Sequence, residues 1–288
     1  MNHPLLFIGN RINNYEIVKI ISEAEGSCIC AVNKIGTQEK YAIKFSINKE
    51  QANREISIMK LINSPYIIKI IDSFEFEQYV CIVMPLMDGN VTSLFKKSSG
   101  IDESTVRNII FVVLKALKYL HRANIWHRDI KMENFFLYNT DTKNQGVILG
   151  DLGFAIVVKN NDWKSSDYVG TLRFAAPEII NNTTYNQSID IWSLGVTMYT
   201  MLSGTYPFPI APESCLRRCI SKGAYYYPQR NWKNISKSAK NLIDSMIRVN
   251  PNERITPEIA LFHPWILGHQ ISTDVMKSSM SLSSLNNI

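Results

Sequence analysis

The first third of the chain is a series of apolar runs cut by polar turns. Glu16–Ile21 (EIVKII), Cys28–Val32 (CICAV) and Tyr41–Phe45 (YAIKF) are rich in β-branched and aromatic residues, and they are separated by Ser22–Ser27 (SEAEGS) and by a turn at Lys34-Ile35-Gly36-Thr37. This pattern predicts an antiparallel meander. Asn53–Ile62 (NREISIMKLI) then changes period, with Ile56, Met59 and Ile62 apolar at helical spacing. Glu55 falls on the inward edge of that stripe, where a carboxylate is costly to bury unless a cation meets it. Lys44, at the end of the third run, is its natural partner. After the helix-ending turn Ser64-Pro65, Ile67–Ile71 (IIKII) and Tyr79–Met84 (YVCIVM) read as two further apolar strands that complete the sheet, and Pro85–Asn90 (PLMDGN) reads as a connector.

The remainder is mainly helical. Ser104–His121 is apolar over much of a helical circumference, which predicts a buried helix. Phe135-Phe136-Leu137 is a short strand, the polar stretch Asn139–Gly146 a hairpin turn, and Asp190–Gly195 the start of another strongly apolar helix. The fold class is α+β, with a small antiparallel-sheet region carrying one helix and a larger, mainly helical region. The boundaries are about 1–84 for the first, 85–90 for the connector and 91–268 for the second. The polar, serine-rich segment 269–288 is expected to be a flexible tail.

Composition narrows the functional classes. A chain of 288 residues with 45% hydrophobic content buries a sizeable core. The net charge of +6 is spread along the chain. Only short basic runs occur, such as Lys96-Lys97 and Arg217-Arg218, so no nucleic-acid partner is expected. No apolar run is long enough for a bilayer, and no signal peptide is recognisable, so no membrane partner is expected either. The five cysteines lack paired zinc spacing, and reduced thiols in an intracellular protein, cytoplasmic or nuclear, are the expectation.

The chemistry concentrates in Ile125–Asn134, IWHRDIKMEN. An aspartate after an arginine, a lysine two residues on and an asparagine three beyond that suit a loop that orients a hydroxyl, neutralises a phosphoryl oxygen and holds a metal ion. The segment resembles the catalytic loop HRDxKxxN of the protein kinase family, matching at His127, Arg128, Asp129, Lys131 and Asn134. Further signatures follow in order: Ala42-Ile43-Lys44, Asp151-Leu152-Gly153 where the family has Asp-Phe-Gly, Gly170-Thr171, and Ala176-Pro177-Glu178. The stretch TYPF, the surroundings of Trp232 and ALFHPW at Ala260–Trp265 resemble the calcium/calmodulin-dependent kinase group.

The resemblance implies a bilobal protein kinase fold and a monomeric Ser/Thr protein kinase that uses ATP and Mg²⁺ on protein substrates. By resemblance Asp129 accepts the acceptor hydroxyl's proton, Lys131 meets the γ-phosphate, and Lys44, oriented by Glu55, meets the α- and β-phosphates. Asn134 and Asp151 bind Mg²⁺, and Thr171 bonds Asp129 and Lys131. Ile21, Ser22, Ala24, Ser27, Ile29, Ala42, Met84, Pro85, Met87 and Phe136 surround the nucleotide. Asp190 anchors the catalytic loop, and Glu178 pairs with Arg254. Ser22, Ala24 and Ser27 stand where the family has three glycines, which opens an alternative: a pseudokinase that binds nucleotide or acts as an allosteric scaffold. Asp167 occupies a position that many kinases phosphorylate, where its charge is available to Arg128 and implies basal activity. Ser165, Ser166 and Tyr168 are candidate modification sites. Glu133 is half of an arginine-reading pair whose other member is replaced by Val91, and the tail lacks the basic amphipathic helix of a calmodulin target.

Overall fold

The computed structural model describes residues 6–97, 100–139, 146–158, 170–208 and 212–268. These residues form two compact units. The first takes the chain up to Asn63, then Ile67–Asp88 and Asp151–Gly153. The second takes Ser64–Tyr66, Gly89–Gly150 and the chain from Phe154 onward.

In unit one the apolar runs become β1 (Arg11–Ile12), β2 (Tyr15–Ala24), β3 (Ser27–Lys34) and β4 (Lys40–Ser46), followed by α1 (Lys49–Leu61), β5 (Asp72–Phe76) and β6 (Tyr79–Pro85). The strands make one antiparallel sheet in the order β1-β2-β3-β4-β6-β5. Alternate residues separate its faces. Ile17, Cys28, Cys30, Val32, Ile43, Phe45, Cys81 and Val83 fill a buried core with Tyr79. Burial of each large side chain there contributes about 1.5–3 kcal/mol. Cross-strand pairing puts Ile29 opposite Lys44, Lys44 opposite Ile82, and Ala42 opposite both Ala31 and Met84, so these residues share the other face.

Helix α1 begins where the Asn48 side chain accepts a hydrogen bond from the Gln51 amide at 3.0 Å. Its buried residues Ala52, Glu55, Ile56 and Met59 fall at helical spacing, and Ile62 ends it in an extended conformation. Glu55 is thus carried inward by the same stripe that packs the helix.

The run Ile67–Ile71 is not a strand. Ile67 and Ile68 are fully buried, but the strand is β5, whose residues are only exposed or half-buried. β5 is an edge strand joined to β6 by a tight hairpin, and such a strand carries no continuous apolar signal. In this stretch the apolar run marks burial, with an isolated bridge at Ile67 and one amide bond from Ile71 to Val83 in place of a strand.

Unit two contains β7 (Gly89–Asn90), α2 (Val91–Lys97), α3 (Glu103–Arg122), β8 (Ile125–Trp126), β9 (Phe135–Tyr138), β10 (Gly146–Leu149) and β11 (Ile156–Val157). It continues with α4 (Pro177–Ile180), α5 (Ser188–Ser203), α6 (Glu213–Lys222), α7 (Gln229–Trp232), α8 (Lys237–Met246), α9 (Pro257–Ala260) and α10 (Pro264–Leu267). β9 pairs with both β10 and β7, and β8 pairs with β11. The predicted hairpin is bounded by the Tyr138–Gly146 pair, and residues 140–145 lie outside the described residues.

The Asp102 side chain caps α3 by accepting from the Thr105 amide at 2.9 Å. Ten residues of α3 and nearly all of α5 are buried, so these two helices form the core around which unit two is built. Far along the chain Arg254 grips Glu178 with both nitrogens, at 2.6 and 2.7 Å, and neither side chain is more than 7% exposed. Among the described residues no helix is long and apolar enough to cross a membrane. All five cysteines are free thiols, and burial pushes Cys81 up to about 12.

Candidate active site

The unit-one set is built on the sheet face that carries Lys44. Its ammonium donates to both Glu55 oxygens, at 3.0 and 2.8 Å, and to Asp151 Oδ1 at 3.0 Å. Burial alone drives the lysine down, but the charges of Glu55 and Asp151 outweigh it and hold Lys44 well above its ordinary value. Burial also raises Glu55, with Lys44 pulling against it. Asp151 takes a left-handed φ of 57°, and the Gln51 side chain ties α1 to the Gly153 carbonyl at 2.9 Å. A Cβ on Gly153 would lie 3.2 Å from Asp151 Oδ1 and 3.3 Å from the Lys44 ammonium, crowding the ion set.

Along the same face Ile29, Ala42 and Met84 make an apolar strip that ends at the Lys44 cation. Such a surface fits a flat base with an anionic chain. Ile21 is an extra residue at a register shift in β2 and is 47% exposed. Ser22 and Ala24 lie in β2 and Ser27 in β3, paired right up to a two-residue turn at Glu25-Gly26. The stretch Ser22–Ser27, read from the sequence as the separation between two strands, is therefore a zipped hairpin tip. Pro85 closes β6 opposite Tyr41, and Met87 is half-buried just beyond it.

The unit-two set sits on the loop after β8. Asp129 Oδ2 meets the Lys131 ammonium at 2.8 Å and the Asn134 amide nitrogen at 3.1 Å. Thr171 Oγ donates to Asp129 Oδ1 at 3.3 Å and accepts from Lys131 at 3.0 Å. The Asn134 nitrogen also donates to the Asp129 carbonyl at 2.7 Å, which leaves the oxygen of the same amide for a ligand. Gly170 stands at φ +84°, and a Cβ there would meet the Arg128 carbonyl at 2.6 Å, so only glycine brings Thr171 this close. Phe136 is half-buried in β9, paired with Ile148 and Asn90.

The loop backbone is held from outside. Asp190, fully buried in α5, accepts from the amides of His127 and Arg128 at 3.0 and 2.8 Å and meets His121 Nε2 at 2.9 Å. Burial works to raise Asp190, but the hydrogen bonds from His121 and the Arg128 amide prevail and keep it below the ordinary aspartate value. His127 Nδ1 accepts from the Asp129 amide at 3.3 Å, so its Nε2–H donates to the Gly150 carbonyl at 3.0 Å. Arg128, at φ 68°, donates to the Phe154 carbonyl and the Tyr185 hydroxyl at 2.7 and 3.0 Å.

The sequence reading missed His121 on Asp190, Tyr185 on Arg128 and Gln51 on Gly153. No spacing rule links residues that far apart. Asp167, Ser165, Ser166, Tyr168 and the tail 269–288 lie outside the described residues.

The described residues contain no cluster of three or more His, Cys, Asp or Glu able to hold a metal alone. Taken one by one, an amide oxygen such as that of Asn134 and a carboxylate such as that of Asp151 are hard oxygen donors of the kind Mg²⁺ accepts.

The protein kinase domain family matches residues 15–266. Similar proteins include the Serine/threonine-protein kinase H1 of Homo sapiens, 32% identical over 277 residues, covering 93% of this chain and 65% of the relative. The Calcium/calmodulin-dependent protein kinase type II alpha chain of Drosophila melanogaster is 32% identical, covering 88% of this chain and 49% of the relative. The Serine/threonine-protein kinase 33 of Mus musculus is 33% identical, with coverage of 82% and 51%. The chain thus spans about two thirds of the length of the first of these relatives and about half of the other two. With its antiparallel-sheet unit, its helical unit and the signature residues in order, the chain belongs to the protein kinase domain family, and it is similar to Ser/Thr kinases that include the calcium/calmodulin-dependent group.

Proposed function

We propose that this chain is a catalytically active Ser/Thr protein kinase that transfers the γ-phosphoryl group of ATP to hydroxyls of protein substrates. The observation that carries the reading is the Asp129 carboxylate, set by Lys131, Asn134 and Thr171 and desolvated to 5% exposure. A carboxylate so held is oriented to take a proton from an incoming alcohol. Lys131, already bonded to Thr171, places a positive charge beside the same carboxylate. Lys44 holds its proton under the influence of Glu55 and Asp151 and so offers a permanent cation to phosphate oxygens. The side-chain oxygen of Asn134 and the Asp151 carboxylate are the groups assigned to the metal. Mg²⁺, when bound, neutralises charge on the phosphates. Ile21, Ser22, Ala24, Ser27, Ile29, Ala42, Met84, Pro85, Met87 and Phe136 are assigned to the nucleotide.

The Lys131 and Thr171 arrangement supports serine and threonine acceptors. Glu133 is exposed while Val91 is buried, so the arginine-reading pair has one carboxylate and arginine preference in substrates is expected to be weak. A pseudokinase reading has no support beyond the missing glycines, since every charged group of both sets is present. Incubation of the purified chain with γ-labelled ATP, Mg²⁺ and a mixture of serine and threonine peptides tests the proposal. Label is expected on peptide. Nucleotide binding with no label transferred to any peptide contradicts it.

A further inference from the structure

Helix α1 opens with Asn48 at its cap and Gln51 three residues on. At that spacing a glutamine side chain usually turns back onto the cap amide. Here the side-chain nitrogen of Gln51 donates instead to the Gly153 carbonyl at 2.9 Å, across 102 positions of sequence. The cap itself does not use that side chain. It rests on the Gln51 backbone amide, which donates to the Asn48 side chain at 3.0 Å.

Gln51 and Glu55 lie one helical turn apart and so share a face of α1. Glu55 accepts from the Leu152 amide as well as from the Lys44 ammonium. The helix therefore holds two successive residues after Asp151, with an acceptor for the N–H of Leu152 and a donor for the C=O of Gly153. Asp151 needs such holding, because it is a non-glycine residue at φ 57°, a backbone conformation that persists only where the surroundings fix it. Its Oδ1 meets the Lys44 ammonium at 3.0 Å and accepts from the Gly153 amide at 3.4 Å. Gly153 is thus tied to the carboxylate through its amide and to α1 through its carbonyl.

We propose that Gln51 is a positioning residue for Asp151. Its donor on the Gly153 carbonyl fixes the direction of the carboxylate, so that α1 and Asp151–Gly153 shift together. For the metal that the carboxylate is to meet, the proposal rests on the kinase reading. The coupling of Gln51 to Asp151–Gly153 does not depend on that reading.

Hydrogen exchange of the nucleotide-free protein, followed by mass spectrometry, separates this role from that of a helix cap. In Gln51→Leu the amides of Leu152 and Gly153 are expected to exchange roughly fivefold faster, about what one neutral hydrogen bond supplies, while Ala52–Met59 of α1 keep their native rates. Gln51→Glu has the same size but no donor and should lose protection as Gln51→Leu does. Gln51→Lys, whose ammonium donates, should keep it. Native rates at Leu152 and Gly153 in Gln51→Leu, or an equal loosening of α1, would overturn the proposal. If Gln51→Leu does not fold, the other two variants carry the comparison, and equal exchange in both would overturn it. Calorimetric titration with ADP adds a metal-dependent readout. The strengthening of ADP binding by Mg²⁺ is expected to be roughly fivefold smaller in Gln51→Leu than in the native protein, with binding in EDTA unchanged. An equal strengthening in both proteins would overturn the positioning role. If ADP does not bind the native protein at all, the kinase reading fails, and the exchange comparison still decides the coupling.

Discussion

In unit one, Lys44, Glu55 and Asp151 fix one another by opposite charge at 2.8 and 3.0 Å. In unit two, Asp129 rides on a loop whose His127 and Arg128 amides are gripped by Asp190, itself held by His121, none of them assigned to the reaction. The first set is thus held by the groups that are to work, and the second largely by groups that only support. A substitution in the first is therefore expected to change the charge offered to substrate while leaving the fold intact. A substitution among the supports of the second is expected to loosen unit two itself.

The largest effect follows from the buried ion pair of unit two. Arg254→Met leaves Glu178 buried and unpaired, and the loss of stability is expected to be about 3–5 kcal/mol in urea unfolding. A change too small to resolve would show that the pair is not a support. Asp190 gives a pH signature. Its folded pKa lies below the ordinary value of 3.8, so the unfolded chain takes up a proton more readily. Its contribution to stability is complete above that value and is lost as pH falls below it toward the folded pKa. Acid unfolding followed by near-ultraviolet circular dichroism should shift to higher pH in Asp190→Asn only if other carboxylates do not dominate, so the cleaner readout is a flatter pH dependence in the variant. An unchanged slope would contradict the assignment.

In unit one the expected balance is reversed. Glu55→Gln removes one of two negative partners of Lys44, and phosphoryl transfer is expected to fall roughly tenfold, about 1.4 kcal/mol in the barrier, with the unfolding midpoint little altered. A large drop in stability with activity retained would break the contrast between the units. The smallest effect is expected at Glu50, whose pair with Arg54 is exposed on α1. Glu50→Gln should leave both transfer and the unfolding midpoint where they were, since exposed pairs contribute little.

How much of this was legible in the sequence depended on distance along the chain. The Asp129 loop was readable because its groups fall within ten consecutive residues, and the Lys44–Glu55 pair because helical spacing turned a carboxylate toward a buried face. The buried edge of the sheet misled: Ile67 and Ile68 are core without being strand, while β5 is a strand with a polar pattern. The strands were read as ending before Ser22 and starting again after Ser27 because small polar residues carry no pairing signal, whereas pairing runs up to Glu25-Gly26. His121 on Asp190 and Arg173 on Tyr206 join residues 69 and 33 positions apart, and nothing local marks them.

The central claim, that Asp129 does the proton chemistry on a loop otherwise built for binding, is tested most directly by Asp129→Asn. Phosphoryl transfer to peptide is expected to fall roughly 10²–10⁴-fold, with nucleotide affinity and the unfolding midpoint close to those of the native chain. Transfer at the native rate in Asp129→Asn would contradict the account.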